Sequence, residues 1–154
     1  MAAIAALAAG AVTAAPQHSA AQQAHSLLKT HGGAVFAAEE DAFDAKDVVR
    51  DANGDQHVRM QRSHRGMPVI GGDFVMHLLA NGALKHVSQS RSQKLNVDDV
   101  AALSDMQAIA YAQSLFGGNL HTKPKARMVV FARTAAARLA YEVELSGEKA
   151  DGTE

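Results

Sequence analysis

From residue 57 to 64 polar and apolar side chains alternate, with Val58 and Met60 on one side and Arg59, Gln61 and Ser63 on the other. A period of two predicts a strand with one wet face. The alternation then breaks. Pro68 has no N–H to give to a ladder, and Gly66, Gly71 and Gly72 permit backbone angles that other residues resist, so a bend or bulge is expected over 65–72. Residues 73–79 are apolar on both faces except for His77, Asn81-Gly82 is a hairpin signal, and 84–87 form the returning strand. Upstream, Phe36, Phe43, Val48 and Val49 stand among acids, which suggests a turn or short helix leading into a strand at 47–50. The run DANGD at 51–55 then supplies a turn.

In LSDMQAIAYAQSLFGG, Ser104 and Gln107 form a capping-box pattern and Gly117 follows the last periodic residue, so a helix is expected over 105–116. Met106, Ile109, Ala110, Ala112 or Gln113, and Phe116 recur at three- and four-residue steps, the face expected to lie on a sheet. LNVDDVAAL can form a separate helical turn before it, and 88–94 is polar enough for a loop or a continued edge. Two further strands follow, at 128–131 and in RLAYEVELSG, where Leu139, Tyr141, Val143 and Leu145 oppose Glu142 and Glu144. The tail EKADGTE is polar and offers no closing element, which implies an exposed sheet edge or a missing continuation. The pattern predicts an α+β fold: an antiparallel sheet packed against one main helix, with an incomplete C-terminal sheet. A second, shorter helix is expected over 20–30, ending at Gly32.

Composition narrows the chemistry. The 154 residues are 47% apolar, enough for one core, although much of that is Ala and only 5% is aromatic. Fifteen Lys and Arg against sixteen Asp and Glu give a net charge of -1, so no bulk attraction to nucleic acid or anionic membrane is expected. The absence of Cys excludes disulfides and thiolate chemistry while remaining compatible with export. MAAIAALAAGAVTAA resembles a signal-peptide apolar region, and Val12 and Ala14 suit a cleavage site. It is too short for a membrane span, which takes roughly 20 residues. It lacks a positive n-region, since no Lys or Arg precedes Lys29, so either the true start lies upstream or the start is misassigned; the alternative to export is an Ala-rich helix of a cytoplasmic protein.

Eight His invite a metal reading, but His57, His64, His77 and His86 have no helical H-x-x-x-H spacing and there is no H-E-x-x-H. His57 and His77 could meet across a sheet, a pair expected to be structural and short of ligands. Ser63 and His64 point to opposite faces of a strand, HGGAV at His31 has no nucleophile elbow downstream, and GMPVIGG lacks the Lys and helix of a phosphate loop. Arg59, Arg62 and Arg65 have no interleaved aromatics for base stacking. No catalytic constellation is therefore expected, and no cofactor.

The stretch HVRMQRSHRGMPVIGGDFVMH resembles the fungalysin/thermolysin propeptide (FTP) domain of secreted thermolysin-family zinc metalloprotease precursors, through His57, Val58, Arg59, Arg62, Gly66, Pro68, Val69, Gly71, Gly72, Asp73 and His77, with Met67 in an apolar slot. The helix and LAYEV strand that follow resemble part of a PepSY domain. The resemblance implies a cystatin-like propeptide architecture: 1–15 a signal-peptide remnant, 16–35 a linker or short helix, 36–95 FTP-like, and 96–154 a partial PepSY-like domain. It also implies a secreted or periplasmic propeptide acting as intramolecular chaperone and inhibitor of its cognate metalloprotease catalytic domain. Zinc and calcium would then belong only to that absent domain. Arg59, Gln61, Arg62 and Arg65 are the candidates for partner contact, because Arg pairs well with carboxylates; Arg59, Gly66, Pro68 and Gly71 are also candidates for setting the sheet and its bend. The alternatives are a standalone inhibitor or binding module acting in trans, and a metalloprotease whose catalytic part lies beyond this chain. A reading frame that continues into H-E-x-x-H would distinguish the precursor from the standalone form.

Overall fold

The computed structural model describes residues 19–98, 100–134 and 136–149. The apolar segment 1–15 lies outside the described residues. Helix α1 (Ala20–His31) opens with a capping box in which the Ser19 hydroxyl accepts from the Gln22 N–H and the Gln22 side chain accepts from the Ser19 N–H. It passes into a 3₁₀ turn, Gly32–Val35, which ends at Phe36 in the left-handed region with φ 51°. Strands β1 (Asp41–Arg50), β2 (Gln56–His64), β3 (Met67–Ile70), β4 (Phe74–Leu78) and β5 (Leu84–Gln89) follow, then helix α2 (Asp105–Phe116). After α2 come β6 (Gly118–Leu120), β7 (Lys125–Phe131), β8 (Arg138–Glu144) and β9 (Gly147–Lys149).

Strand β2 organises the sheet. One of its edges pairs with β1 along its length, from Asp41 opposite His64 to Arg50 opposite Gln56. The other edge is shared: β4 takes residues 56–60 and β3 takes 63 and 64. Beyond β4 lies β5, and beyond β3 the sheet continues through β7 to β8, giving the path β5-β4-β2-β3-β7-β8. All these pairings are antiparallel except β3 with β7, where Val69 lies opposite Val130. The fold is α+β, as the pattern predicts.

The larger core lies under β2 and β4, where Val58, Met60, Phe74, Met76 and Leu78 meet Ala24 and Leu28 of α1 and Val35. A smaller cluster of Val69, Leu95, Val130 and Ala132 lies at the β3–β7 junction. The two Asn-Gly turns fall where expected: Gly54 and Gly82 take φ 89° and 83° in the loops after β1 and β4.

Three expectations are corrected. The strand expected at 47–50 begins at Asp41, because Phe43 and Ala45 pack on the main core and Asp41 is anchored by β2. Helix α2 has the expected limits and caps, with Gly117 at φ 66°, but its buried face is centred on Ala108 and leaves Met106 75% exposed. Ile109, Ala112 and Phe116 are half-buried beside Ala108, whereas Met106, Tyr111 and Leu115 face solvent. Finally, the tail is not without an element, since β9 pairs with β6. Strand β8 pairs with β7 alone among the described residues and is an edge.

Candidate functional site

The alternation of β2 continues past Met60, so Arg62 and His64 fall on the same face as Val58 and point into the core. Arg62 is 0% exposed. Its Nη1 donates to Asp41 Oδ2 at 3.0 Å and its Nη2 donates to the Val35 carbonyl, while the second Asp41 oxygen lies 2.8 Å from His64 Nδ1. The Ala38 N–H adds a bond to Asp41 at 2.9 Å. Phe43 and Phe74 place their ring centroids 5.2 Å and 5.9 Å from the guanidinium. Both are within cation–π range. Burial draws Arg62 below its ordinary value, Asp41 opposes that, and the charge of Arg91 adds to the lowering. The left-handed Phe36 belongs to this site, since its carbonyl accepts from Arg62 Nη1 at 3.4 Å.

This arrangement removes Arg62 from the set of partner contacts expected above. A guanidinium held by an inward carboxylate, two main-chain carbonyls and two rings is a structural clamp joining β1, β2 and the segment after α1. His64 is buried for the same reason, at 2% exposure.

The opposite face of β2 is open to solvent and carries His57 and Arg59. Arg59 reaches across to Asp73, Nη2 to Oδ2 3.0 Å, with the Arg59 side chain 61% exposed. His57 and His77 meet in register across β2 and β4, Nδ1 to Nδ1 2.6 Å. His57 Nε2 donates to Asp51 at 2.9 Å, and His77 Nε2 lies 2.9 Å from the Ser88 hydroxyl. The His86 ring stacks on His77 with centroids 4.1 Å apart. The His pair was legible from the strand pattern; the carboxylate beside it, contributed by the DANGD turn, was missed. Among the described residues no group of three or more His, Cys, Asp or Glu side chains could hold a metal ion.

The Gly/Pro segment forms the bend. Arg65 and Gly66 make the β2–β3 turn with φ 50° and 77°. Two successive left-handed residues are the geometry of a tight hairpin. Arg65 pairs with Glu40 at 3.1 Å, holding the Glu40 carboxyl below its ordinary range. Pro68 sits opposite Ser63 in β3. Gly71 has φ 86°, and a Cβ there would stand 2.7 Å from Arg133 Cγ and 3.1 Å from the Arg133 nitrogen. A side chain at 71 would therefore push on the β7 end of the sheet.

A second surface feature is apolar. Between α2 and β8 runs a groove of about 560 Å³ lined by Leu103, Tyr111, Leu115, Leu139, Tyr141 and Val143 among others. Tyr111 and Leu115 are 66% and 70% exposed. Exposed aromatic and aliphatic side chains grouped along a groove mark an interaction surface more often than a solvated face. No helix among the described residues is long and apolar enough to cross a membrane.

The described residues thus combine a buried structural clamp, an open strand face and an apolar groove. Residues 41–90 match the Fungalysin/Thermolysin Propeptide Motif, the segment from β1 to the end of β5. The chain is 35% identical over 115 residues to the transglutaminase-activating metalloprotease of Streptomyces mobaraensis, covering 70% of this chain and 15% of that protein. It is 31% identical over 114 residues to bacillolysin of Bacillus cereus, covering 70% of this chain and 20% of that one. The chain thus corresponds to a fifth or less of the length of these relatives.

Proposed function

We propose that this chain is the propeptide region of a secreted thermolysin-like zinc metalloprotease precursor, and that it assists folding of the catalytic domain and blocks it until removed. The observation that carries the reading is the propeptide-motif match over 41–90, which coincides with the folded segment from β1 to β5. Similarity to two metalloproteases over about 115 residues supports the same reading. The open face bearing Arg59 and Gln61, with Arg65 at its end, and the apolar groove beside α2 are the surfaces offered to the catalytic domain. A charged rim beside an apolar anchor site is how a protein interface is usually composed. Strands β7 and β8 extend the same sheet, and residues 96–154 are proposed as a partial PepSY-type portion. The chain's role is binding rather than catalysis; zinc and calcium belong to the catalytic domain.

Refolding of the cognate catalytic domain in a titration of this chain tests the reading. Recovered protein should rise with added chain, and its peptidase activity should stay suppressed until the chain is digested. Unchanged recovery and unchanged activity across the titration would remove both parts. The chain alone, supplied with zinc, should cleave no casein, and chelator-sensitive cleavage would overturn its assignment as a binding domain.

A further inference from the structure

Across the solvent face of the sheet a chain of hydrogen bonds links Asp51, His57, His77 and Ser88, spanning the β1–β2 turn, β2, β4 and β5. Its ends fix its direction. The Asp51 carboxylate can only accept, so His57 carries its proton on Nε2 and, when neutral, presents a lone pair at Nδ1. His77 must then donate from Nδ1, and its Nε2 accepts from the Ser88 hydroxyl. Every polar atom of the chain is satisfied with both imidazoles neutral.

One added proton is easily accommodated. His77 can hold it on Nε2 and donate to Ser88, or His57 can hold it on Nδ1 while His77 turns its lone pair inward. A second proton cannot be accommodated. Two imidazoliums would face N–H to N–H at 2.6 Å. At that distance like charges and two donors both repel. The groups that face the pair are Asp51 from the turn, and Lys85 and His86 from β5, with His86 stacked flat on His77 at 12°. Of these only Asp51 opposes added positive charge.

We propose that His57 and His77 form a proton-operated clasp between β2 and β4, closed while the pair holds at most one added proton and opened by the second. The inference does not depend on the propeptide reading. Burial, followed by the charges of His86 and His57, holds His77 below the ordinary His range, against the pull of Asp51. The sign follows. A His whose folded-state value is depressed stabilises the fold above its unfolded value, and that contribution is lost as pH falls through the folded value. Acid therefore loosens the β2–β4 ladder from its open face.

The test is an imidazole nitrogen NMR titration of the whole chain from about pH 8 down to about pH 4, which passes below the window where an ordinary His changes charge. His57 and His77 should move together in two macroscopic steps, the lower one below the ordinary His range, with loss of amide protection in β4 accompanying that step. Independent single-step titration of the two rings, or unchanged β4 protection through the lower step, would overturn the proposal. As a second readout, the urea midpoint of the native chain should fall severalfold more over this range than that of H77Q. Equal pH dependence in the two chains would overturn it as well, and the NMR titration of the native chain decides the matter should H77Q not fold.

Discussion

Asp41 Oδ2 and Arg62 Nη1 lie 3.0 Å apart with both side chains fully shielded from water. A buried ion pair of this kind adds little over a well-packed apolar pair, but breaking it strands the surviving charge. Replacing Arg62 by Met should accordingly destabilise the fold by about 3–5 kcal/mol in urea unfolding. Arg62→Lys should rescue little of this, since an ammonium cannot reach Asp41 and the Val35 carbonyl with the same planar fork. A near-native midpoint for R62M would show that the clamp is dispensable.

Gly71 and Gly66 share a positive φ but differ in room. A Cβ at 71 meets Arg133 backbone and side chain, whereas one at 66 has no described heavy atom within 4 Å beyond its chain neighbours. Gly66→Ala should cost about 1 kcal/mol from the left-handed conformation alone. Gly71→Ala should cost more, on the order of 2–4 kcal/mol, because strain adds to overpacking. Thermal unfolding of the two variants side by side checks the order.

Lys85 Nζ sits 3.1 Å from Asp55 Oδ2, and this hydrogen bond holds the Asp55 carboxyl below its ordinary range against the effect of burial. A depressed carboxylate stabilises the fold above its unfolded value, about 3.9, and the contribution disappears as pH falls through the folded value. Asp55→Asn should therefore be less stable than the native chain at about pH 7 and converge on it at about pH 2–3. Urea midpoints at the two pH values measure this, and a constant gap would refute it.

Leu115 and Tyr111 project from α2 into solvent beside the apolar groove. Leu115→Lys should leave the stability of the isolated chain within about 0.5 kcal/mol of native, as exposed substitutions do. If the groove receives the catalytic domain, the same variant should weaken inhibition at least tenfold, about 1.4 kcal/mol, in a protease titration. Loss of stability without loss of inhibition would place the groove outside the interface.

Local signals in the sequence were reliable where one residue type dictates a conformation. The limits of α2 followed from Ser104, Gln107 and Gly117, and the bend after β2 from Gly66, Pro68 and Gly71. What could not be read were features created by distant partners. Acidic residues around Asp41 look like a solvated turn until Arg62 and His64 arrive from β2 to neutralise them. Arg62 looks like a surface charge because the hydrophobic pattern of β2 fades at Met60, although the pleat carries it inward. The exposed face of the His pair was visible from alternation, whereas Asp51 entered the site only through the fold of the turn.

The parallel pairing of β3 with β7 sets an order of assembly. Everything the larger core requires lies between α1 and β5, so that nucleus can condense before β7 and β8 are recruited. Val69 must wait for Val130, whose approach closes a long loop and is correspondingly slow. Until then that β3 edge stays unpaired, and the folding chain passes through a stage in which its finished half presents a strand still awaiting its neighbour.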